Sequence, residues 1–396
     1  MAILRQRFLQ RLAPTSPEPL MLEVERGEGA YLYAPDGTRY LDLIAGISVS
    51  SVGHCHPEIV AAAKAQLDKY LHTMVYGEYV LSPQVELADL LAQNLPSSLN
   101  SVYFVNSGTE ATEGAMKLAK RYTGRSEIIA CKKAYHGTTQ GAASLMSPTE
   151  FTQAYYPLLP GIKHIDFNCE FCLQQITTQT AAVIMETVQA EWGVRQPMND
   201  YLQKVRQRCD EVGALLILDE IQVGYGRTGT LWAFQQYGIV PDILLLAKAM
   251  GGGMPIGAFV ADKTLMRALS VDPILGHITT FGGHPVCCAA ALATLKLLLR
   301  ENWIAQVKTK EQLFRQLLVH PKIRAVRSAG LIMAVELLNF DEVKQVIDYC
   351  LARGLITDWF LFNNRSIRIA PPLLITEKQI RAACALLLEG IEQLKS

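Results

Sequence analysis

Between about residues 100 and 260 the chain alternates short β-branched or aliphatic runs with amphipathic helical patterns, and each run stops at a polar or glycine-rich turn. "SVYFV" leads into "NSGTEATEGAMKLAKRY", "EIIAC" into "KKAYHG", "AAVIM" into "ETVQAE", "ALLIL" into "DEIQVGYGRTG" and "DILLLA" into "KAMGGG". This alternation predicts an α/β fold, a largely parallel sheet covered by helices. Ligands of such open sheets sit outside the carboxyl ends of the strands, so five strand ends nominate one crevice.

The rest of the chain adds less constraint. With 396 residues, the length predicts one large domain and a smaller one. From about Ala289 the pattern changes to a long helix, a second helix around "TKEQLFRQLL", strand-like "LIMAVEL" and "SIRIAPP", and a closing helix. "GAYLYAPDGTRYLDL" reads as two strands around an Asp-Gly turn. The expected division is an N-terminal segment 1–50 joining the small domain, a large domain 51–288, and a C-terminal small domain 289–396. Lys+Arg and Asp+Glu balance at 37 each, which gives no electrostatic reason to bind nucleic acid or an anionic membrane and leaves a small molecule as the expected partner. The N-terminus has no apolar core of signal-peptide type and no later run resembles a spanning helix, so a cytoplasmic protein is expected. Nine cysteines, an odd number scattered through a large chain, argue against a disulfide framework and for reduced thiols. His54-Cys55-His56 and the pair Cys169 and Cys172 lack the second ligand pair of a structural zinc site, so no metal is expected.

Three strand ends carry chemistry. Ser107 and Glu110 have the spacing of a capping box, and Gly108 removes bulk where the backbone turns. Free N–H groups there, with the hydroxyls of Ser107 and Thr109, suit a phosphate; a plain helix cap is the alternative. Asp219 and Glu220 end an apolar strand, as magnesium-binding carboxylates do in nucleotide hydrolases. That reading needs a P-loop, and its nearest match, "GAFVADKT", places Asp262 where the second glycine belongs. No G-x-G-x-x-G follows a strand either. Lys248 stands after an apolar run and before Gly251, Gly252 and Gly253, where lost hydration demands a partner, a shifted pKa or a covalent role. Pyridoxal phosphate (PLP) needs an anion for its ring nitrogen, an amine for its aldehyde, a phosphate site and a flat stacking surface. Asp219, Lys248, the Ser107 turn and Tyr135 offer these four. Lys248 is then both the condensing amine and, once released, the base that moves a proton from the substrate carbon.

In order, "NSGTEATEGAMKLAK", "AYHG", "DEIQVGYGRTG", "LLLAKAMGGGMPIGAF", "TTFGGHP" and "RIAPPL" resemble the class III aminotransferases, which include acetylornithine, ornithine and 4-aminobutyrate aminotransferases. The resemblance covers nearly the whole chain. It implies the PLP-dependent transferase fold type I, with a mostly parallel seven-stranded sheet, a small α+β domain built from both chain ends, and an obligate homodimer. By motif it places Ser107, Gly108 and Thr109 at the cofactor phosphate, Tyr135 on the ring, His136 and Gly137 in the same turn, Glu186 after the next strand, Gln222 near the ring hydroxyl and Ile221 on the other ring face. Thr280 matches the threonine that reaches the neighbouring subunit's phosphate. Arg368 matches the arginine that grips the α-carboxylate of glutamate and 2-oxoglutarate, and Glu191 the glutamate that pairs with it when an ω-amine is bound. Two departures concern the donor: Thr138 stands where the family usually has arginine, and "QAEWG" with Trp192 replaces "QGEGG". The implied activity is amino transfer from an ω-amine or amino acid to 2-oxoglutarate by a ping-pong cycle. Alternatives are a diamine or β-amino acid donor, another PLP reaction (aminomutase, racemase or decarboxylase), or a sensory module without catalysis.

Overall fold

The computed structural model describes residues 2–147 and 149–394. Its centre is a seven-stranded sheet whose strands, numbered along the chain, are β1 Ser101–Val105, β2 Glu127–Cys131, β3 Ile162–Ile165, β4 Thr180–Glu186, β5 Leu215–Asp219, β6 Ile243–Leu246 and β7 Gly257–Ala261. The spatial order is β1-β7-β6-β5-β4-β2-β3. Pairings among β2 to β6 are parallel, and only β7 runs against its neighbours, β6 and β1. The expected mostly parallel α/β sheet of seven strands is therefore the one found.

Period-two alternation explains why every residue of β4 is buried. Val183, Met185, Leu216, Leu218, Leu244 and Leu246 face one apolar core, while Ala182, Ile184, Ile217, Ile243 and Leu245 face the other. Burying such side chains contributes roughly 1.5–3 kcal/mol each for the larger ones. The same register sets Glu186 directly beside Asp219 at the carboxyl edge.

Two smaller sheets flank this body. Arg26–Glu28, Tyr31–Tyr33 and Arg39–Asp42 form a meander, its second and third strands antiparallel around the expected Asp-Gly turn, and Leu355–Ile356 joins parallel to the third strand. Ala325–Ser328, Met333–Glu336, Asn363–Ile369 and Asp358–Phe360 form the other, in that order and antiparallel throughout. Helices Pro285–Arg300, Trp303–Leu317 and Glu377–Glu392 match the patterns read from about Ala289, the first of them starting a turn earlier. Among the described residues no helix is long and apolar enough to cross a membrane.

One expectation fails. Cys169 and Cys172 are joined by a disulfide, whereas the other seven cysteines are free. A count of scattered cysteines tests for long-range frameworks; here a turn after β3, entering the short 3-10 helix Phe171–Gln175, brings two neighbouring thiols together.

Candidate active site

Strand ends converge on a cavity of about 430 Å³. Ser107, Gly108, Thr109, Tyr135, His136, Glu186, Asp219, Ile221, Gln222 and Lys248 all line it, as do Gly137 and Thr138. Glu191 and Arg368 lie just behind Gln222, and Thr280 sits apart in an exposed stretch. Its carbonyl accepts from His72 Nε2 at 2.7 Å.

Asp219, the last residue of β5, is buried. Its Oδ1 accepts from Ile221 N at 2.9 Å, and its Oδ2 from His136 Nδ1 at 2.7 Å. These bonds hold the carboxylate in place and fix the imidazole with its proton on Nδ1; His136 Nε2 is buried without a partner. Glu220 points the opposite way, as alternation requires, and accepts from Ala233 N, Phe234 N and Thr187 Oγ1. Glu186 ties two loops together by accepting from Tyr135 N at 3.1 Å and Ala190 N at 2.8 Å. Burial, and then the adjacent Asp219, push its pKa up to about 8.

The helix Gly108–Thr123 begins at the cavity. Ser107 caps it by accepting from Glu110 N at 3.3 Å, but the capping box is only half formed, because the Glu110 carboxylate binds Asn106 N and Nδ2 instead. Gly108 and Thr109, whose N–H groups begin this helix, line the cavity. Side chains of the same helix hold the aromatic turn. Thr112 Oγ1 donates to His136 O at 2.9 Å, Thr109 Oγ1 meets Thr139 Oγ1 at 2.7 Å, and Glu113 Oε1 accepts from Thr139 Oγ1, Gly141 N and Ala142 N. Gly137 has φ +122°, and a Cβ there would lie 2.3 Å from Thr109 Oγ1. The close approach of turn to helix therefore requires glycine.

Lys248 follows β6 in the left-handed region, with φ +47°, an uncommon conformation for a side chain this long. It is half-buried in the cavity wall, and burial draws its pKa below the ordinary lysine value, against the pull of Glu191. Its Nζ lies 3.4 Å from the Gln222 amide. Turned so that its nitrogen donates to Glu191 Oε1 (3.3 Å) and its oxygen accepts from Arg368 Nη1 (3.2 Å), that amide bridges a buried ion pair and presents its nitrogen, not an acceptor, to Lys248.

Arg368, on the strand Asn363–Ile369, meets Glu191 in a two-pronged contact, Nη1 to Oε1 at 2.8 Å and Nη2 to Oε2 at 3.0 Å. Nη2 also donates to Trp359 O, and Asp358 Oδ1 lies 3.0 Å from Nε. Burial is the largest influence on Glu191 and opposes its ionisation, but Arg368, the Leu361 N–H and Lys248 together outweigh it and the pKa falls below the usual carboxylate value. Trp192 packs beneath Lys133 Nζ and Arg195 Cζ, 4.7 and 5.1 Å from its ring centroid. Asp358 and the His136–Asp219 bond escaped the sequence reading. A signal for the bond was present, since both residues sit in quoted motifs; Asp358 stands in none.

The sequence model described as aminotransferase class-III matches residues 12–391. An acetylornithine aminotransferase from Methanopyrus kandleri is 40% identical over 370 residues, covering 92% of this chain and 93% of that one. A putrescine aminotransferase from Pectobacterium atrosepticum is 41% identical over 366 residues, 87% of this chain and 76% of the relative. Among solved structures, an ornithine aminotransferase from Toxoplasma gondii with PLP at partial occupancy in its active site superposes with a TM-score of 0.90 at 28% identity, over 98% of this chain and 94% of that one. The chain belongs to the class-III aminotransferases and is a PLP-dependent transaminase.

Proposed function

We propose that the cavity holds PLP and passes an amino group from an ω-amine or amino acid to 2-oxoglutarate in two half-reactions. The observation that carries this reading is the joint placement, in one cavity, of a desolvated strand-end amine, Lys248, a fixed strand-end carboxylate, Asp219, and a helix start. When bound, PLP supplies an aldehyde and a ring that withdraws electrons from the substrate carbon. Asp219 holds a proton at the ring nitrogen, and His136 keeps that carboxylate oriented. The N–H groups at Gly108 and Thr109, with the Ser107 hydroxyl, receive the phosphate. Tyr135 and Ile221 would hold the ring between them, and Gln222 would serve the ring hydroxyl. Lys248 is the amine for the aldehyde. Its lowered pKa keeps a neutral fraction available, both for condensation and for carrying the proton of the amine-bearing carbon.

Arg368 takes the α-carboxylate of the 2-oxo acid, displacing Glu191; with an ω-amine in place the two pair again. We read the enzyme as a homodimer in which the exposed Thr280 of one copy would reach the phosphate site of the other. Residues 51–288 form the large domain, with 1–50 and 289–396 making the small one. The pairing of Leu355–Ile356 with Arg39–Asp42 supports that division.

A second reading of the donor is favoured by Thr138. This side chain lines the cavity where an arginine would grip a distal carboxylate, and it offers only a hydroxyl. A diamine needs no such grip, and the similar Pectobacterium atrosepticum protein is named for putrescine. The test is a half-reaction followed by a donor screen. PLP-loaded enzyme given L-glutamate alone should release one equivalent of 2-oxoglutarate per site, and Lys248→Ala should lower turnover at least about a thousandfold. No release of oxo acid sinks the reading. Preference for pyruvate over 2-oxoglutarate would contradict the role of Arg368.

A further inference from the structure

The Cys169–Cys172 pair has no part in the reaction above, and its setting differs from that of the other cysteines. Six of the remaining seven are buried, and burial raises the thiol pKa of each. Buried, protonated thiols do not exchange. Cys55 is exposed and free. Cys169 and Cys172 are both half-buried, and the bond between them closes a turn of four residues. So short a loop holds no distant parts of the chain together, so architecture does not depend on it.

The two sulfurs are not equivalent. Cys172 packs against the main apolar core, whereas Cys169 stands outside it. Cys172 N donates to Cys169 Sγ at 3.2 Å, a bond that favours a thiolate on Cys169 once the disulfide opens.

The turn is also tied to the substrate side of the cavity. Asn168, left-handed at φ +63°, donates from Nδ2 to Gln196 O at 3.0 Å and accepts at Oδ1 from Met198 N at 2.9 Å. Just before these residues, Gln189 and Arg195 exchange two backbone hydrogen bonds at 2.9 Å and close the short loop that carries Glu191.

We propose that Cys169 and Cys172 form a thiol–disulfide exchange site for low-molecular-weight thiols, and that opening the bond loosens the Asn168 tie and the loop that presents Glu191 to Arg368. A thiolate attacks Cys169 Sγ, forming a mixed disulfide and expelling Cys172 as a thiolate that takes up a proton. A second thiolate attacks the external sulfur, giving the small disulfide and releasing Cys169; two thiols are oxidised as one protein disulfide is reduced. With Glu191 less firmly held, a substrate carboxylate competes better for Arg368. The effect on substrate rests on the reading of Glu191 as the displaceable partner, while the exchange itself does not.

Holoenzyme equilibrated with increasing ratios of 2-mercaptoethanol to its disulfide, alkylated and mapped by peptide mass, should show one two-electron transition confined to Cys169 and Cys172. Cys172→Ser treated with hydroxyethyl disulfide should gain one adduct at Cys169, at least about tenfold faster than Cys169→Ser gains one at Cys172. A bond that opens only in denaturant, or a faster adduct at Cys172, overturns the site. The KM for 2-oxoglutarate should fall about two- to fivefold on reduction, and the Cys169→Ser/Cys172→Ser enzyme should match the reduced value at every ratio. If Glu191→Gln shifts that KM and reduction does not, the linkage is wrong. If neither shifts it, the gate reading fails, while the thiol counts still decide the exchange site.

Discussion

Two arginines are shut away from water in this enzyme, and they are held in opposite ways. Arg227, fully buried, has no carboxylate beside it among the described residues. Its Nη1 donates to Leu331 O and Pro371 O, and its Nη2 to Ser51 Oγ at 2.8 Å. Burial alone pulls its pKa down to about 9. Arg368, 3% exposed, faces Glu191 and Asp358, and although burial works against its charge these carboxylates hold its pKa above the ordinary value. Backbone carbonyls cannot leave without moving the chain, so Arg227 pins three separate segments to the turn after β5. Carboxylates on side chains can be exchanged for the carboxylate of a substrate, so Arg368 can serve binding. A guanidinium's partners, more than its burial, separate architecture from recognition.

The largest effect should come from removing the architectural arginine. Arg227→Met leaves three buried acceptors without donors and should destabilise the holoenzyme by about 3–5 kcal/mol in denaturant unfolding. A loss below about 1 kcal/mol would break the contrast. Arg368→Lys keeps a charge but loses the fork. We expect a roughly hundredfold lower kcat/KM for glutamate and 2-oxoglutarate, with the rate for a diamine donor within about threefold of wild type. Equal losses with both kinds of substrate would make Arg368 a structural residue like Arg227. Glu191→Gln should sharpen the assignment by raising the KM of ω-amine donors about tenfold, without raising that of 2-oxoglutarate. Steady-state kinetics with each substrate varied in turn distinguishes these patterns.

The sequence makes the main sheet and its chemical edge legible because both depend on local pattern. Apolar runs of strand length end within one residue of the ends of β1, β2, β4, β5 and β6, and among the residues just beyond them are those that meet in the cavity. What was not legible depends on contacts far apart in the chain. Asp358 meets Arg368 through antiparallel pairing of two late strands, and no periodicity announces it. Arg227 sits inside a quoted motif, yet its partners at 51, 331 and 371 belong to other segments. The half-formed capping box shows the same limit at short range, since spacing placed Glu110 correctly but could not tell Ser107 N from Asn106 N. The Cys169–Cys172 bond is illegible for the converse reason: the number of cysteines in the chain bears on long-range frameworks, and this bond spans one local turn.

The smallest effect tests the same contrast by pH. Arg227 has only neutral partners, so titration leaves its surroundings unchanged across the acid range. At Arg368, burial pushes Asp358 up to about 6, against the pull of the guanidinium. A carboxyl whose folded pKa exceeds its unfolded value binds its proton more tightly when folded. Its contribution to stability is therefore complete below the ordinary aspartate pKa of about 3.8 and is lost as pH rises through about 6. Asp358→Asn removes that term. Relative to the variant, wild-type enzyme should lose on the order of 1 kcal/mol between pH 4 and pH 7, with no further divergence above pH 7. Glu220 and Glu186, raised to about 7 and about 8, slope in the same direction, but they are common to both proteins and cancel in the difference. Unfolding midpoints measured for the pair at half-unit steps of pH give the curve directly. A difference that stays flat from pH 4 to pH 7 would mean that Asp358 keeps its charge throughout, and that Arg368 is held by two permanent carboxylates rather than by one permanent and one that titrates.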